Sequence, residues 1–350
     1  MYKQTRYKDG MVAIMVTAVI MVIMSLITLG FARMVQREQR QGLDNQLSAQ
    51  AFYAAESGIN AVSAFINASG TPATPKSNCD VASFGNGVID PATPEVRFTC
   101  LMYDPEPEEL EANNGAIKPE RSKVIPINAR PNAQSLTFSW GDNNPSRTNF
   151  DNTCTGVNRN IPADDWGAAN RIGMLQIDLI PVHNGASAPQ IERNILDQET
   201  ATVLMYPCGA SGANSVDIEN YRAGVANDTG ADRGKAVGAN CTGAAPYPCS
   251  LSITNLPTNV DFYARIKSIY GDLNLQIEGE TSSGNRTSFA NAQVVVDSTG
   301  RANDVLRRLQ VRLPIYEEYR IPEATVQSQD GVCKLYSITG TAVSSDILCN

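Results

Sequence analysis

The distribution of apolar and polar residues divides the chain into an apolar start, a long amphipathic stretch and a β-patterned remainder. The 19 residues from Met11 to Leu29 carry no charge. An apolar run of this length is typical of a membrane-spanning helix. A short basic leader with Lys3, Arg6 and Lys8 precedes the run and ends at Gly10. The first 29 residues therefore predict a membrane anchor.

A helical pattern continues beyond this apolar run. No proline occurs between Met11 and about Asn67. Apolar residues recur at steps of three, four or eight positions, which keeps them on one helical face. At about 1.5 Å per residue, the pattern predicts one helix of roughly 85 Å, apolar all round in its first third and amphipathic beyond. The residues of the apolar stripe are Val35, Leu43, Leu47, Ala51, Ala55, Ile59, Val62 and Ile66.

The place of cleavage distinguishes this anchor from an ordinary secretory signal. Such a signal has small residues at a cleavage site directly after its apolar core. Here Gly30 and the residues up to Arg33 lead straight into a polar helix. We therefore expect cleavage before the apolar run, after Gly10.

The leader and helix together resemble type IV pilins and type II secretion pseudopilins, which have a class III prepilin leader. The segment AFYAAESG from Ala51 to Gly58 is similar to the AxxAAExG stretch of PilX-like minor pilins and K-type pseudopilins. The resemblance implies that a prepilin peptidase cuts after Gly10 on the cytoplasmic face and methylates the new N-terminus at Met11. It also implies that the helix contacts other pilins or pseudopilins.

One position departs from the pilin pattern. Most pilins have Glu at the fifth mature position, where it is thought to neutralise the amino group of the neighbouring subunit. Counting from Met11, this chain has Met15 there. An unpaired carboxylate is costly in lipid, so a subunit with no neighbour ahead of it has no use for one. PilX-like and K-type subunits, which often lack this Glu, are placed at the filament tip, and the resemblance implies the same position here.

Cysteine usage indicates the compartment of the C-terminal part. The positive charges on the two sides of the span are nearly equal in number, so the positive-inside rule does not determine the orientation of the helix. All eight cysteines lie beyond the span, and an even set indicates disulfides in an oxidising compartment. We expect the C-terminal part outside the cell membrane and sequential neighbours paired. The cysteines are Cys79, Cys100, Cys154, Cys208, Cys241, Cys249, Cys333 and Cys349, and the last two resemble the disulfide loop that closes the final strand of many pilins.

Alternating residues late in the chain predict two hairpins. Within residues 262–277, apolar and polar residues alternate on both sides of Gly271-Asp272, which predicts a hairpin. A second hairpin joins residues 292–297 to 304–313 by a turn around Ser298–Gly300. Two successive hairpins predict a four-stranded antiparallel sheet whose apolar face packs on the helix stripe. The expected fold class is α+β and pilin-like.

These patterns give an expected division of the chain into five parts. Residues 1–10 form the leader, 11–29 the spanning part of the helix and 30–68 its amphipathic part. Residues 71–250 form a large inserted extracellular region rich in strands and loops, as in K-type pseudopilins. Residues 251–350 form the C-terminal sheet and disulfide loop.

Candidate catalytic and metal-binding residues are sparse. A zinc–thiolate site needs closely spaced Cys or His, yet the nearest cysteines, Cys241 and Cys249, are eight apart, and His183 is the single histidine, which we interpret as a loop residue. No phosphate-loop or dinucleotide motif occurs. We expect neither an enzyme nor a cofactor. Calcium is the alternative, with oxygen ligands on Asp142, Asp151 or the acidic run Asp104–Glu111, whereas Asp164, Asp165 and Trp166 are interpreted as a solvated turn.

The charge argues against nucleic acid as a partner. The formal net charge is −8, and loss of the leader, with three positive charges and one negative, would make it −10. Phosphate binding would need a local basic patch. The candidate residues are Arg301, Arg307, Arg308 and Arg312, for which a charged outer strand face is the favoured interpretation.

Three hypotheses follow from different classes of protein. The first is a minor pilin or tip pseudopilin that helps to initiate a filament and carries its inserted region outward. The second, compatible with the first, is an adhesin for a surface, host cell or secreted substrate. The third is a single-pass anchored surface protein, enzyme or sensor outside any filament. The charge-free span and unbroken helix favour the first.

Overall fold

A computed structural model describes residues 6–69, 74–112, 117–119, 121–150, 166, 169–184, 189–190, 199–222, 236–258 and 260–315. Its α-helix α1 runs from Arg6 to Ser69 without interruption. The predicted helix from Met11 to about Asn67 is therefore confirmed. The absence of proline lets every residue keep its helical hydrogen bond.

Sixteen strands lie within the described residues. They are β1 (Val96–Asp104), β2 (Glu109–Glu111), β3 (Ser122–Ile127), β4 (Ala129–Arg130), β5 (Ser135–Asp142), β6 (Met174–Asn184), β7 (Pro189–Gln190), β8 (Ala201–Cys208), β9 (Ser215–Asp217), β10 (Ala236–Asn240), β11 (Cys249–Thr254), β12 (Asp261–Ile269), β13 (Leu273–Glu280), β14 (Ser288–Phe289), β15 (Gln293–Ala302) and β16 (Val305–Pro314). Together with α1 they form an α+β fold, as predicted.

A three-stranded sheet has the order β1-β15-β16. The predicted hairpin between β15 and β16 is confirmed, but its turn is not around Ser298–Gly300, which lies inside β15. The connection is Asn303-Asp304, where Asn303 has a φ of 55°. Asn tolerates this left-handed conformation better than most residues. The third strand, β1, comes from the region that was expected to be an insertion.

An eleven-stranded sheet has the order β2-β13-β5-β11-β10-β8-β6-β12-β3, with β7 added to β6 and β9 to β11. Most of its pairs are antiparallel, whereas β10 runs parallel to β8 and β9 runs parallel to β11. The predicted hairpin of residues 262–277 is wrong, because β12 pairs with β6 and β3 while β13 pairs with β5 and β2. The expected four-stranded sheet is therefore also wrong.

The large sheet encloses one main apolar core. Alternate residues of its strands point into this core, as in β13, where Leu273, Leu275 and Ile277 are buried between half-exposed neighbours. Trp140 is fully buried there, and its indole Nε1 donates a hydrogen bond of 3.1 Å to the Gly173 carbonyl. Burial of each such large side chain stabilises the fold by about 1.5–3 kcal/mol.

The chain divides into two compact units. The first contains α1 as far as Val62, with Asn78–Met102 and Asp297–Gln310. Of the described residues, the second contains those within Ser63–Ser77, Tyr103–Val296 and 311–315. This division does not follow the expected boundary between residues 250 and 251, because strands on both sides of it belong to the eleven-stranded sheet.

Candidate functional site

The first half of α1 has an uncovered apolar surface. Every large apolar side chain from Ile14 to Val35 is exposed, and Met15 is 68% exposed. None of the most apolar stretch of this helix is buried within the structure. The helix is thus long and apolar enough to cross a membrane. An apolar surface of this extent marks contact with lipid or with a protein partner.

The few polar side chains in this apolar half bond to their own helix. The Thr17 hydroxyl donates to the Ile14 carbonyl at 2.9 Å, and the Ser25 hydroxyl donates to the Met21 carbonyl at 2.8 Å. Thr28 makes the equivalent bond to the Met24 carbonyl. Hydroxyls satisfied in this way do not require water, so they are compatible with a lipid environment.

The expected processing residues lie near the start of this helix. Gly10 and Met11 both have helical backbone within α1, and Met15 is about one turn further along. Cleavage between Gly10 and Met11 stays a prediction.

The second half of α1 packs on the three-stranded sheet through small residues. Ala51, Ala54 and Ala55 are fully buried. They belong to the AFYAAESG segment that carried the resemblance to minor pilins, together with Gly58. The larger buried side chains of the same unit include Val62, Phe98 and Leu101. The small-residue stretch is therefore the contact surface between helix and sheet.

Gly300 is the strand residue that meets this helical surface. A Cβ atom at Gly300 would overlap the Ala51 carbonyl oxygen and the Ala55 amide nitrogen. A Cβ at Gly58 would likewise overlap the Ser298 hydroxyl and lie 3.2 Å from Cγ of Phe98. The backbones of α1 and β15 can approach this closely only because both positions are glycine.

Two arginines of β16 bond to neighbouring elements of the same unit. Arg307 donates to the Ser48 hydroxyl of α1 at 2.9 and 2.7 Å. Arg308 pairs with Asp297 of β15, whose oxygens accept from Nε at 2.8 and 2.9 Å. This hydrogen bonding raises the pKa of Arg308. Of the remaining candidates for a basic patch, Arg301 donates to the Asn303 carbonyl, so these arginines have separate partners and do not form one phosphate site.

The face of α1 turned away from the sheet has an aromatic pair. Phe52 and Tyr53 are 45% and 64% exposed. Their ring centroids are 5.8 Å apart with an interplanar angle of 82°, an edge-to-face arrangement. Tyr53 also accepts, at its carbonyl, a bond of 2.9 Å from the Ser57 hydroxyl. The small-residue segment thus presents glycine and alanine to the sheet and aromatic rings to the outside.

Two disulfides are fully within the described residues. They join Cys79 to Cys100 and Cys241 to Cys249, each pair being neighbours in the order of cysteines along the chain. Cys208 is also disulfide-bonded. The first disulfide joins the segment after α1 to β1. Cys154, Cys333 and Cys349 lie outside the described residues.

The calcium candidates that the structure describes have protein partners. The Asp142 side chain is 1% exposed, accepts from the Asn144 amide at 2.9 Å and lies 3.4 Å from Arg147. Burial raises the pKa of Asp142. Within the described ranges, no group of three or more His, Cys, Asp or Glu is arranged to hold a metal ion. Asp151, Asp164 and Asp165 lie outside these ranges.

Two single residues differ from their interpretation in the sequence. His183 lies in β6 and is paired in register with Gln190, so it is a strand residue and not a loop residue. Trp166 is 2% exposed, and its Nε1 donates to the Ile172 carbonyl at 3.0 Å. The Arg171 guanidinium lies 5.5 Å from the Trp166 ring centroid. Trp166 is thus a buried anchor and not part of a solvated turn.

Two carboxylates of the acidic run Asp104–Glu111, those of Glu109 and Glu111, pair with arginines that the sequence did not connect with the run. Arg312 donates to the Glu109 carbonyl at 2.7 Å and to Glu111 at 3.1 Å. Arg286 lies 3.2 Å from Glu109 and 2.9 Å from Glu278. No sequence pattern predicts the pairs of Arg312 and Arg286 with Glu109, because these partners are far apart along the chain and meet only through the sheet order.

The chain thus combines a helix that is long and apolar enough to cross a membrane with strands on which the second half of that helix packs, in an α+β fold. Residues 10–60 match the family described as PilX N-terminal, and this match supports a likeness of the amino-terminal segment to PilX-like type IV pilins. The match begins at Gly10 and includes the apolar run and the small-residue segment. Searches of curated proteins and of solved structures gave no match.

Proposed function

We propose that this chain is a minor subunit, at the tip or initiating position, of a type IV pilus or a related type II secretion filament. Its second unit is displayed outside the cell. The observation that carries the proposal is the helix itself. A PilX-type segment presents a bare apolar half to lipid or to other pilins, and the same helix is fixed to its own sheet by Ala51, Ala55 and Gly58.

Met15 is the residue on which the proposed position of the chain, at the filament tip, depends. It is an exposed apolar residue where most pilins have Glu. Without that carboxylate, the chain cannot neutralise the amino group of a subunit ahead of it. A following subunit that has its own Glu can still pair with the N-terminus of this chain. A subunit that can pair with the one behind it, but not with one ahead of it, suits the tip of a filament.

The proposal includes one processing step, and it gives the chain one location before filament assembly and another after it. Prepilin peptidase cuts after Gly10 and methylates Met11 while the span lies in the inner membrane. The cysteine-containing part is outside, where Cys79–Cys100 and Cys241–Cys249 form in an oxidising compartment. After assembly the chain is part of a surface filament and contacts other pilins or pseudopilins.

The first experiment is intact-mass measurement and N-terminal sequencing of the chain purified from membranes or sheared filaments. The proposal expects an N-methylated Met11. Gly10→Leu should block processing, because close approach of the peptidase to the backbone favours glycine. Gly30→Leu is the control, since it changes a glycine of the same helix away from the junction. A chain that starts at Met1, or normal processing of Gly10→Leu, would overturn the leader assignment.

The second experiment tests the position in the filament. Met15→Glu should allow labelled subunits to enter the filament shaft, because the carboxylate can now pair with a neighbouring amino group. Met21→Glu is the matched control, with a charge added at another exposed position of the span. If labelled Met15→Glu chains remain at the filament ends, the tip assignment from Met15 fails.

The alternative function is a single-pass surface adhesin outside any filament. It is favoured by the size of the second unit, whose eleven-stranded sheet has its own core. Cleavage after Gly10 separates the two functions. Binding of residues 71–350 to a surface or host ligand would add adhesion to either of them.

The proposed role needs no cofactor and no catalytic group. Calcium is the ion to test, because the sequence contains clustered oxygen ligands. An unchanged thermal midpoint after addition of a calcium chelator agrees with the proposal. A midpoint that falls with the chelator and recovers with calcium would show a calcium site.

A further inference from the structure

We propose that Arg33, Arg37 and Arg40 form a binding stripe for anionic phospholipid headgroups at the outer surface of the cell membrane. The inference rests on the proposed function in one respect, since it takes the first part of α1 as inserted in the membrane with the C-terminal part outside. It adds a partner for a surface that the pilin assignment does not use.

The position of the stripe along the helix matches the headgroup layer. No residue from Met11 to Ala32 carries a charge, and Arg33 is the first charged residue after them. At about 1.5 Å per residue this uncharged stretch is about 33 Å long, close to the hydrocarbon thickness of about 30 Å. Arg33 therefore lies at the hydrocarbon boundary. Arg37 and Arg40 follow within about 10 Å along the axis, inside the range of membrane surface charge.

The three arginines also share one helical face. Steps of four and three residues place them within an arc of about 60°. Ala51 follows Arg33 by about five full turns, so the arginine stripe continues the face that Ala51 and Ala55 present to the sheet. The sheet covers that face only at the far half of α1, and at Arg33 it is open.

The stripe is not neutralised by the protein. All three arginines are exposed, and none has an ion-pair partner in the part of the chain that the structure describes. The nearest acidic residues of α1, Glu38 and Asp44, form no ion pair with these arginines within the described residues. Gly30 has no atoms within 4 Å of the position of a Cβ. Gly30, Arg33, Met34, Gln36, Arg37 and Arg40 line one open groove.

The chemistry of the groove fits a phosphate ester with acyl chains. Guanidinium groups bind phosphate oxygens through paired hydrogen bonds. The groove begins at the apolar span, so a lipid can place its acyl chains along Leu26 and Leu29 and its phosphate beside Arg33. An acidic patch on another protein would offer the same negative charge, but it would not lie in the lipid headgroup layer beside Arg33. Position in the headgroup layer therefore favours the lipid.

The test is native mass spectrometry of the full chain in detergent with added phosphatidylglycerol or phosphatidylcholine of identical acyl chains. We expect the wild-type chain to retain phosphatidylglycerol at least about fivefold better, the effect of one arginine near an anionic surface. The variant Arg33→Gln/Arg37→Gln/Arg40→Gln should lose this preference. The control Arg97→Gln/Lys118→Gln/Arg121→Gln, which removes the same charge from the remainder of the chain, should keep it.

Several results would overturn the inference. These are equal retention of both lipids by the wild-type chain, an unchanged preference in the stripe variant, or an equal loss in the control. Loss of a co-purifying pilin from the stripe variant, with the lipid preference unchanged, would assign the stripe to a protein partner. Alkaline extraction of membranes separates the two proposals. Release of the wild-type chain contradicts membrane insertion, whereas retention without lipid preference contradicts only the stripe.

Discussion

Gly58 of α1 and Ser298 of β15 are in such close contact that one added methyl group on the glycine would overlap the serine hydroxyl. Ser298 is fully buried, and its Oγ has no hydrogen-bond partner within the described structure. A single oxygen atom therefore sets the closest approach of helix and strand at this point. It does so without the hydrogen bond that usually offsets burial of a hydroxyl.

This contact predicts a strong coupling between substitutions. Gly58→Ala should lower the free energy of unfolding by about 1–3 kcal/mol, because the methyl overpacks the junction. Ser298→Ala should be neutral or stabilising by up to about 1 kcal/mol, since it removes an unsatisfied buried group. In the double variant most of the loss should disappear. A double-mutant cycle from denaturant unfolding of the full chain in detergent measures this, and additive effects would contradict it.

A second prediction compares two glycines. Gly300→Ala should lower the free energy of unfolding by about 2 kcal/mol or more, because its Cβ meets the α1 backbone, which cannot rotate away. Gly42→Ala should raise it by about 0.5–1 kcal/mol, because Gly42 lies in α1 with no atom within 4 Å of a Cβ. Thermal unfolding followed by circular dichroism gives both. Equal changes in the free energy of unfolding of the two variants would contradict the role assigned to Gly300.

A third prediction concerns Arg312, which bonds at once to the Glu109 carbonyl and the Glu111 carboxylate. Arg312→Ala should destabilise the second unit by about 1–3 kcal/mol, since a partly buried carbonyl and carboxylate lose their donor. Arg312→Lys should recover less than half of this, because one ammonium cannot reproduce the planar fork. Denaturant midpoints of the three chains test the order. Full recovery with lysine would show that charge alone is sufficient.

The fourth prediction uses pH. Burial lowers the pKa of Lys123 from its ordinary value of 10.5. Lys123 is paired in β3 with Ile266, a core residue, so its side chain shares an apolar face. Between the lowered pKa and 10.5 the unfolded chain binds more protons, so wild-type stability rises with pH in this window.

Lys123→Met should therefore be more stable than wild type at pH 7, and its advantage should shrink as pH rises toward 10.5. Lys118→Met is the control, because Lys118 is exposed. Thermal midpoints at a series of pH values from 7 to 10 measure the difference. An advantage that grows with pH would contradict the assigned cause.

The success of the sequence predictions depended on whether the signal was local. The helix α1 was predictable because its uncharged run, its periodicity and its lack of proline all act within a few turns. Alternation correctly marked β12 and β13 as strands, yet it carried no information about partners. The short Gly271-Asp272 link suggested a hairpin, whereas the nine-residue register of β12 with β6 determined the pairing.

Gly300 shows at a single residue that a local sequence pattern does not reveal tertiary contacts. In the sequence it indicated a turn, because glycine is common where the chain reverses. In the structure it lies inside β15 and gives room to the helix backbone. The pairs of Arg286 with Glu109 and of Arg312 with Glu111 were not predictable either, since these glutamates come from a distant segment. A packing role of glycine is visible only when the opposing element is known.

The dependence of α1 on Gly300 has a consequence for the exchange of segments between related chains. The family match ends at residue 60, yet the surface that receives Ala51 and Ala55 is formed by residues almost at the other end of the described chain. A chimaera that grafts residues 10–60 onto a foreign head would leave the alanines facing an unmatched strand. Residues 10–60 therefore supply only one side of this contact, and a foreign head must supply a glycine equivalent to Gly300 on the other side.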